Sequence, residues 1–172
     1  GIVHSERRPE ALAQRSFTNH GMQLWAALPR EAEEAAPSFR HTPAAAIPEL
    51  AVDAATVRVL VGSAFGAQSP VATFSETLYL DVQLPAGATL EIPALVPELA
   101  VYTVDAPVSL NGGEVPAHIL AVAEPGQPLR LTAGESAVRL MVIGGEPLDA
   151  PRHMWWNFVS SRKDRIVQAR PG

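Results

Sequence analysis

Thr77-Leu78-Tyr79-Leu80-Asp81-Val82-Gln83-Leu84-Pro85-Ala86-Gly87 is the stretch whose reading decides the fold. Leu78, Leu80, Val82 and Leu84 alternate with Tyr79, Asp81 and Gln83. Side chains of a strand leave opposite faces in turn, so this spacing predicts a strand with one apolar face. Pro85-Ala86-Gly87 then ends it in a turn. Working outward, Thr56 to Val61 sets Val57, Val59 and Val61 against Thr56, Arg58 and Leu60. Further strands are expected over 89–92, 99–104, 108–110, 118–123, 129–131 and 137–143. Asn111-Gly112 between apolar runs is a strong hairpin signal, because both residues accept a positive φ. Pro125-Gly126 and Ala133-Gly134 supply two more turns. Short strands with turns every ~8–12 residues, and no helical pattern among them, indicate an all-β sandwich or barrel.

The bulk numbers narrow the function. The chain has 172 residues, enough for one medium domain, and 47% of them are hydrophobic, enough for a core. It has no Cys, which excludes disulfides, Cys-based zinc sites and thiol nucleophiles. That composition is compatible with a cytoplasmic setting. A net charge of −5 argues against direct nucleic-acid binding, which needs a basic face. No run of about 18 apolar residues is present, so no membrane-spanning segment is expected, and no signal-peptide pattern opens the chain. The chain begins at Gly1 instead of Met, which reads as a processed or trimmed start or a piece of a longer protein.

Outside the strand-rich region the sequence is irregular. Residues 8–20 read as a loop, Met22 to Leu28 as a buried strand stopped by Pro29, and 37–55, with Pro37, Pro43 and Pro48, as a linker. Glu31, Glu33 and Glu34 fit a solvated linker. Ser161-Arg162-Lys163-Asp164 has the form of a capping box, so a short C-terminal helix is expected to start near Ser160, with Arg162, Lys163 and Arg165 on its polar face. Ser160 and Ser161 are thereby explained, and no nucleophile motif or Gly-rich phosphate loop stands out. Trp155-Trp156 and Phe158 form an aromatic group that must pack on something.

The candidate ligands are His4 and Glu6. In an extended segment, side chains at i and i+2 leave one face about 6–7 Å apart and could reach one ion. A His and a carboxylate suit Fe, Mn or Zn. An isolated His-x-Glu is a weak signal, and a solvated terminal pair is the blander reading. His20 reads as a loop residue and His153 as a residue that docks the tail. Between His41 and His118 there is no His, and Leu99 to Gly113 offers only Asp105, so the main barrel reads as metal-free.

Several motifs together resemble bacterial pirin-like proteins. They are Gly1-Ile2-Val3-His4-Ser5-Glu6-Arg7, Gln23-Leu24-Trp25, Tyr79-Leu80-Asp81, Gly144-Gly145-Glu146-Pro147-Leu148, Pro151-Arg152-His153 and Trp155-Trp156-Asn157-Phe158-Val159-Ser160-Ser161, followed by the helix from Asp164 to Ala169. The resemblance covers essentially the whole chain. It implies a bicupin, two β-barrels in one chain, with iron in the N-terminal barrel held by three His and one Glu. His4 and Glu6 match the second ligand pair. The first, a His-x-His, is absent from these residues, so the chain is expected to be a C-terminal fragment or a natural truncation.

The expected organisation follows from that resemblance. It is all-β: residues 1–36 are remnant strands of the N-terminal cupin, 37–55 a linker, 56–148 the C-terminal cupin barrel, and 149–172 the tail and short helix. The resemblance implies an Fe(II)-dependent quercetin 2,3-dioxygenase in the intact protein, with other divalent metals as substitutes and the site incomplete here. There the metal would bind and polarise a deprotonated flavonol. His4 would be a neutral ligand, and Glu6 a ligand and the catalytic acceptor of the substrate's proton. An apolar barrel interior would suit that planar aromatic ligand. This chain alone is expected to be inactive, and a remnant with a structural role only is the blandest reading. The alternative is a regulatory protein whose metal state alters a surface recognised by transcription factors or metabolic enzymes. The aromatic tail resembles a strap that returns to the N-terminal barrel. Exposed apolar surface should follow, so the chain is expected to dimerise, to exchange segments with a neighbour, or to accompany further chain.

Overall fold

The first pairing in the chain is a tight hairpin. In the computed structural model, which describes residues 5–169, Glu49–Val52 (β1) and Ala55–Val61 (β2) run antiparallel with Val52 opposite Ala55. Asp53 turns the corner at φ 50°, a left-handed conformation that Asp tolerates better than most side chains. Two further turns use the same device. Ser63–Ala64 (β3) and Ala67–Gln68 (β4) are joined by Phe65 and Gly66 at φ 50° and 79°. Gly62, between β2 and β3, has φ 82°, and a Cβ there would meet the Thr77 carbonyl oxygen at 2.2 Å, so only Gly fits.

Thr77–Leu84 (β5) is the strand expected from its alternation, and Thr89–Ile92 (β6) follows after the Pro85-Ala86-Gly87 turn. Next come Glu98–Thr103 (β7), Val108–Leu110 (β8), Gly113–Val115 (β9), Leu120–Val122 (β10), Leu129–Ala133 (β11) and Val138–Gly145 (β12). β8 and β9 are joined by Asn111 and Gly112 at φ 51° and 88°, the hairpin expected from that pair.

The strands form two main sheets. One is six-stranded, in the order β1-β2-β5-β12-β7-β10; the other is four-stranded, β6-β11-β8-β9. From β5 onward the chain crosses between them repeatedly, breaking off only for the β8–β9 hairpin. Inward-facing Val57, Val59, Leu78, Leu80, Val82, Leu140 and Val142 of the first sheet join Leu90, Ile92, Leu129 and Leu131 of the second in one core cluster. Non-directional burial of this alternating set holds the sandwich together.

The described residues fall into two units, one of residues 41–147 and one combining 5–40 with 148–169. In the second, His153–Trp155 (β13) and Phe158–Ser160 (β14) make a hairpin, and Lys163–Ala169 (α1) is the short C-terminal helix. Three expectations need correction. The expected linker 37–55 contains β1. Beyond Pro48 its Leu50 and Val52 pack against the core, and the Val59 N–H bonds to the Pro48 carbonyl. Residues 5–40 form no strand, only 3₁₀ turns at Glu10–Leu12 and Arg30–Ala32, so no remnant strands are seen among them. Met22 to Leu28 is apolar without alternation, has no pairing strand, and leaves Met22, Leu24 and Trp25 exposed. Among the described residues no helix is long and apolar enough to cross a membrane.

Candidate functional site

In the unit that carries Glu6, a charged hub joins the two chain segments. Arg152 lies at the entry to β13, with its side chain only 5% exposed. Its Nη2 donates to the Leu28 carbonyl (2.7 Å) and to Asp149 Oδ1 (2.7 Å), and its Nη1 to the Ala150 carbonyl. Its Nε is 2.8 Å from Glu33 Oε1. Arginine suits this position because its planar fork offers several fixed donors and keeps its charge when buried.

Glu33 closes the hub from the other side. It accepts hydrogen bonds from the Ser161 N–H (2.8 Å), the Ser161 hydroxyl (2.9 Å) and the Ser160 hydroxyl (3.1 Å). Burial by itself would raise its pKa, but the bonds from Ser161 and Ser160 and the Arg152 charge outweigh it. The carboxyl is held below the ordinary glutamate value. Asp149 is lowered too, first by its hydrogen bond from Arg152. Both Glu33 oxygens thus accept hydrogen bonds and both Arg152 Nη atoms donate them, while the buried Nε faces Glu33 as an ion pair without a hydrogen bond. The hub holds structure and offers no open chemistry.

These residues carry corrections. Glu33 is not part of a solvated linker, although Glu34 stays at the surface against Arg162 and Arg165. The docking role expected of His153 falls to its neighbour Arg152, and His153 itself is exposed. The expected capping box does not form: the Ser161 N–H, which the box would give to Asp164, donates to Glu33, and the Asp164 carboxylate accepts from Arg162 instead. Trp155 stacks on Phe158, with ring centroids 6.0 Å apart and planes 4° from parallel, while Trp156 at the hairpin tip is 79% exposed.

The expected metal ligands fare differently. His4 lies outside the described residues. Glu6 is described, exposed and on irregular backbone, so a strand that would aim the two side chains at one ion is not established. His20, His41, His118 and His153 are exposed on separate segments. Among the described residues no group of three or more His, Cys, Asp or Glu could hold a metal ion. The donor set present therefore does not fit a complete iron site.

The sandwich interior also departs from expectation. Its inward positions among the described residues are apolar side chains closed to solvent and packed together as a core, not the open lining that a planar ligand needs. The buried acid, Asp81, faces the outer side of its sheet, where Arg139 grips it bidentately at 2.9 and 2.6 Å. That bond is the main reason the Arg139 pKa is raised. A cleft of about 420 Å³ lies at the rim, lined in part by Thr56, Gln83, Asp105 and Arg139.

A two-sheet barrel of this topology is a cupin, and comparison with known proteins agrees. The pirin C-terminal cupin domain matches residues 79–171, more than half of the chain. A pirin-like protein of Caulobacter vibrioides is 42% identical over 171 residues, covering 99% of this chain and 58% of its own. Two crystal structures of quercetin 2,3-dioxygenase from Acinetobacter baumannii superpose with TM-scores of 0.77 and 0.74 at 24% and 28% identity. Each covers 84% of this chain, and 52% and 48% of the solved chains are matched. The chain belongs to the pirin family. It spans about half the length of the relatives it matches.

Proposed function

We propose that this chain is the C-terminal part of an iron-dependent pirin of the quercetin 2,3-dioxygenase type. The observation that carries this reading is the likeness, at 28% identity and a TM-score of 0.74, to a solved quercetin 2,3-dioxygenase. In this reading His4 and Glu6 are two of the metal's protein ligands. Glu6 is also the carboxylate that takes the flavonol's proton, and further ligands come from chain outside this sequence. The sandwich acts as the scaffold, since its interior is packed and its buried acid, Asp81, is paired with Arg139. The substrate is a flavonol-like aromatic molecule, and the setting is the cytoplasm.

The test compares two proteins. This chain and the longer gene product, with its additional residues, are loaded with Fe(II) without oxygen, then exposed to oxygen and a flavonol. Decay of the flavonol absorbance is expected for the longer protein only, and Glu6→Ala should abolish it. A metal-replete longer protein that leaves the flavonol intact would overturn this reading and favour a regulatory binding role.

A further inference from the structure

The two edges of the six-stranded sheet are built differently. At the β1 edge, Pro48 precedes the strand, Glu49 lies on it against Arg58 at 3.5 Å, and Asp53 closes it. Proline and charge are the means by which natural sheets discourage edge pairing. The β10 strand itself carries neither, and Glu124 and Pro125 come only after it. Ile119-Leu120-Ala121-Val122-Ala123 is uncharged, and Leu120 and Val122 are 51% and 74% exposed.

The backbone at that edge can be read from its pairing with β7. The Thr103 N–H donates to the Ile119 carbonyl (3.1 Å), and the Ala123 N–H to the Leu99 carbonyl (2.9 Å). Hydrogen-bonded pairs recur at every second residue of an antiparallel ladder, so Ala121 bonds Val101 in the same way. The N–H and C=O groups of Leu120 and Val122 therefore point away from the sheet. Thr103 also fixes the start of the strand, since its buried hydroxyl accepts the Ile119 N–H at 3.1 Å and donates to the Pro116 carbonyl at 2.6 Å.

We propose that β10 pairs antiparallel with β10 of a second copy of this chain, about a two-fold axis at Ala121. In that register Leu120 lies opposite Val122 of the partner subunit, each pair exchanging both backbone hydrogen bonds. The exposed side chains become cross-strand apolar neighbours. The same axis brings His118, a hydrogen-bond donor, toward Glu124 of the partner subunit, an acceptor, so no like charges meet. Sliding one strand by two residues would instead set Glu124 against Leu120 in one direction, or His118 against Val122 in the other, so neither keeps both outward apolar residues on apolar partners. The surface fits itself in one register, as a two-fold interface requires.

A strand this short makes a small interface, and interfaces below about 1,200 Å² are weak. The mass measured by sedimentation or light scattering should therefore rise with concentration from one chain toward two. Val122→Pro removes an outward N–H without touching the bonds to β7, and edge strands accept proline. It should hold the mass at one chain while the circular dichroism spectrum is retained. The chain has no cysteine, so Ala121→Cys reports cleanly. Across the axis the two Cα atoms would be about 4.5 Å apart, within disulfide reach, and oxidation should give a covalent dimer. Ala51→Cys on the opposite edge should not. A mass of one chain at every concentration with no cross-link overturns the proposal. So does a dimer that survives Val122→Pro, since association would then run through another surface, such as that around Trp156. If Val122→Pro does not fold, the cysteine pair decides alone.

Discussion

The unit of residues 41–147 and the unit combining the N-terminal and C-terminal segments are held together by opposite means. In the first, a continuous stretch of sequence supplies alternating strands whose apolar faces bury one another. In the second, the buried residues among those described are Ala32, Ser160 and Ile166, while Trp25, Met154 and Trp156 remain exposed. With so little apolar burial, directional bonds around Arg152 and Glu33 join segments more than a hundred residues apart. A core spreads its stability over many side chains; a hub concentrates it in a few atoms. The comparison can be broken or sharpened by removing each in turn.

The largest effect is expected in the sandwich. Leu80 is closed to solvent between Val59 of β2 and Val142 of β12. Leu80→Ala loses its transfer energy and leaves a cavity, a cost of about 4 kcal/mol. Denaturant unfolding followed by the exchange of β5 and β12 amides should show it as a lower midpoint. An unchanged midpoint would mean that the core does not carry this unit. Next comes Arg152→Met, which leaves the largely buried Glu33 with its serine hydrogen bonds but without its counter-charge, at a cost of about 3 kcal/mol. Its effect should be local. Hydrogen exchange should accelerate at residues 28–34 and 159–162 while β5 and β12 keep their protection. Equal acceleration in both units would show that they are not separately stabilised.

Acid tests the hub more gently. The folded-state pKa of Glu33 is depressed, so its contribution is complete above the unfolded value, near 4.3, and is lost as pH falls through the folded value. Asp149 has the same sign, through Arg152 and then Arg30. Protonation removes charge but leaves an oxygen to accept the Ser161 and Ser160 bonds, so the loss should be smaller than that of Arg152→Met. Exchange at residues 159–162 should quicken below about pH 4 before the sandwich responds. Glu33→Gln should flatten that pH dependence. A tail whose protection is unchanged down to the acid unfolding of β5 would remove Glu33 from the account.

The same contrast explains what could be read from sequence. Most strands from Thr56 to Ile143 are legible because each carries its signal locally, in a period of two residues closed by a turn, while the two- and three-residue strands β3, β4 and β9 are too short to show one. The strand at Glu49–Val52 was obscured by the prolines before it and by its shortness. Met22 to Leu28 looked like a strand because apolar residues suggest burial, yet a strand also needs a partner, and the sequence does not say whether one exists. Glu33 had no local signal at all. Its partners are Arg152, Ser160 and Ser161, and beside Glu31 and Glu34 it looks like one more solvated acid. Arg152 stood inside a recognisable motif, but nothing in that motif separates its role from that of His153. The ligand pair His4 and Glu6 was legible only through the family's motif, and its geometry depends on His4, outside the described residues.

The smallest effect isolates environment from chemistry. Arg130 of β11 meets Glu91 of β6 directly across the ladder at 2.5 Å, with side chains 61% and 68% exposed. This is the same Arg–Glu pairing as in the hub, but water solvates both partners before and after it forms. Exposed pairs of this kind contribute about 0.2–1 kcal/mol, and salt screens them over a Debye length of about 8 Å at physiological ionic strength. Glu91→Gln should therefore lower stability by no more than about 0.5 kcal/mol, and the loss should vanish in high salt. A double-mutant cycle on Glu91 and Arg130, set beside one on Glu33 and Arg152, measures the difference directly. The coupling should be several-fold larger in the hub. Equal couplings would mean that burial adds nothing to the Arg152 contacts, and that the tail is held by something other than its hub.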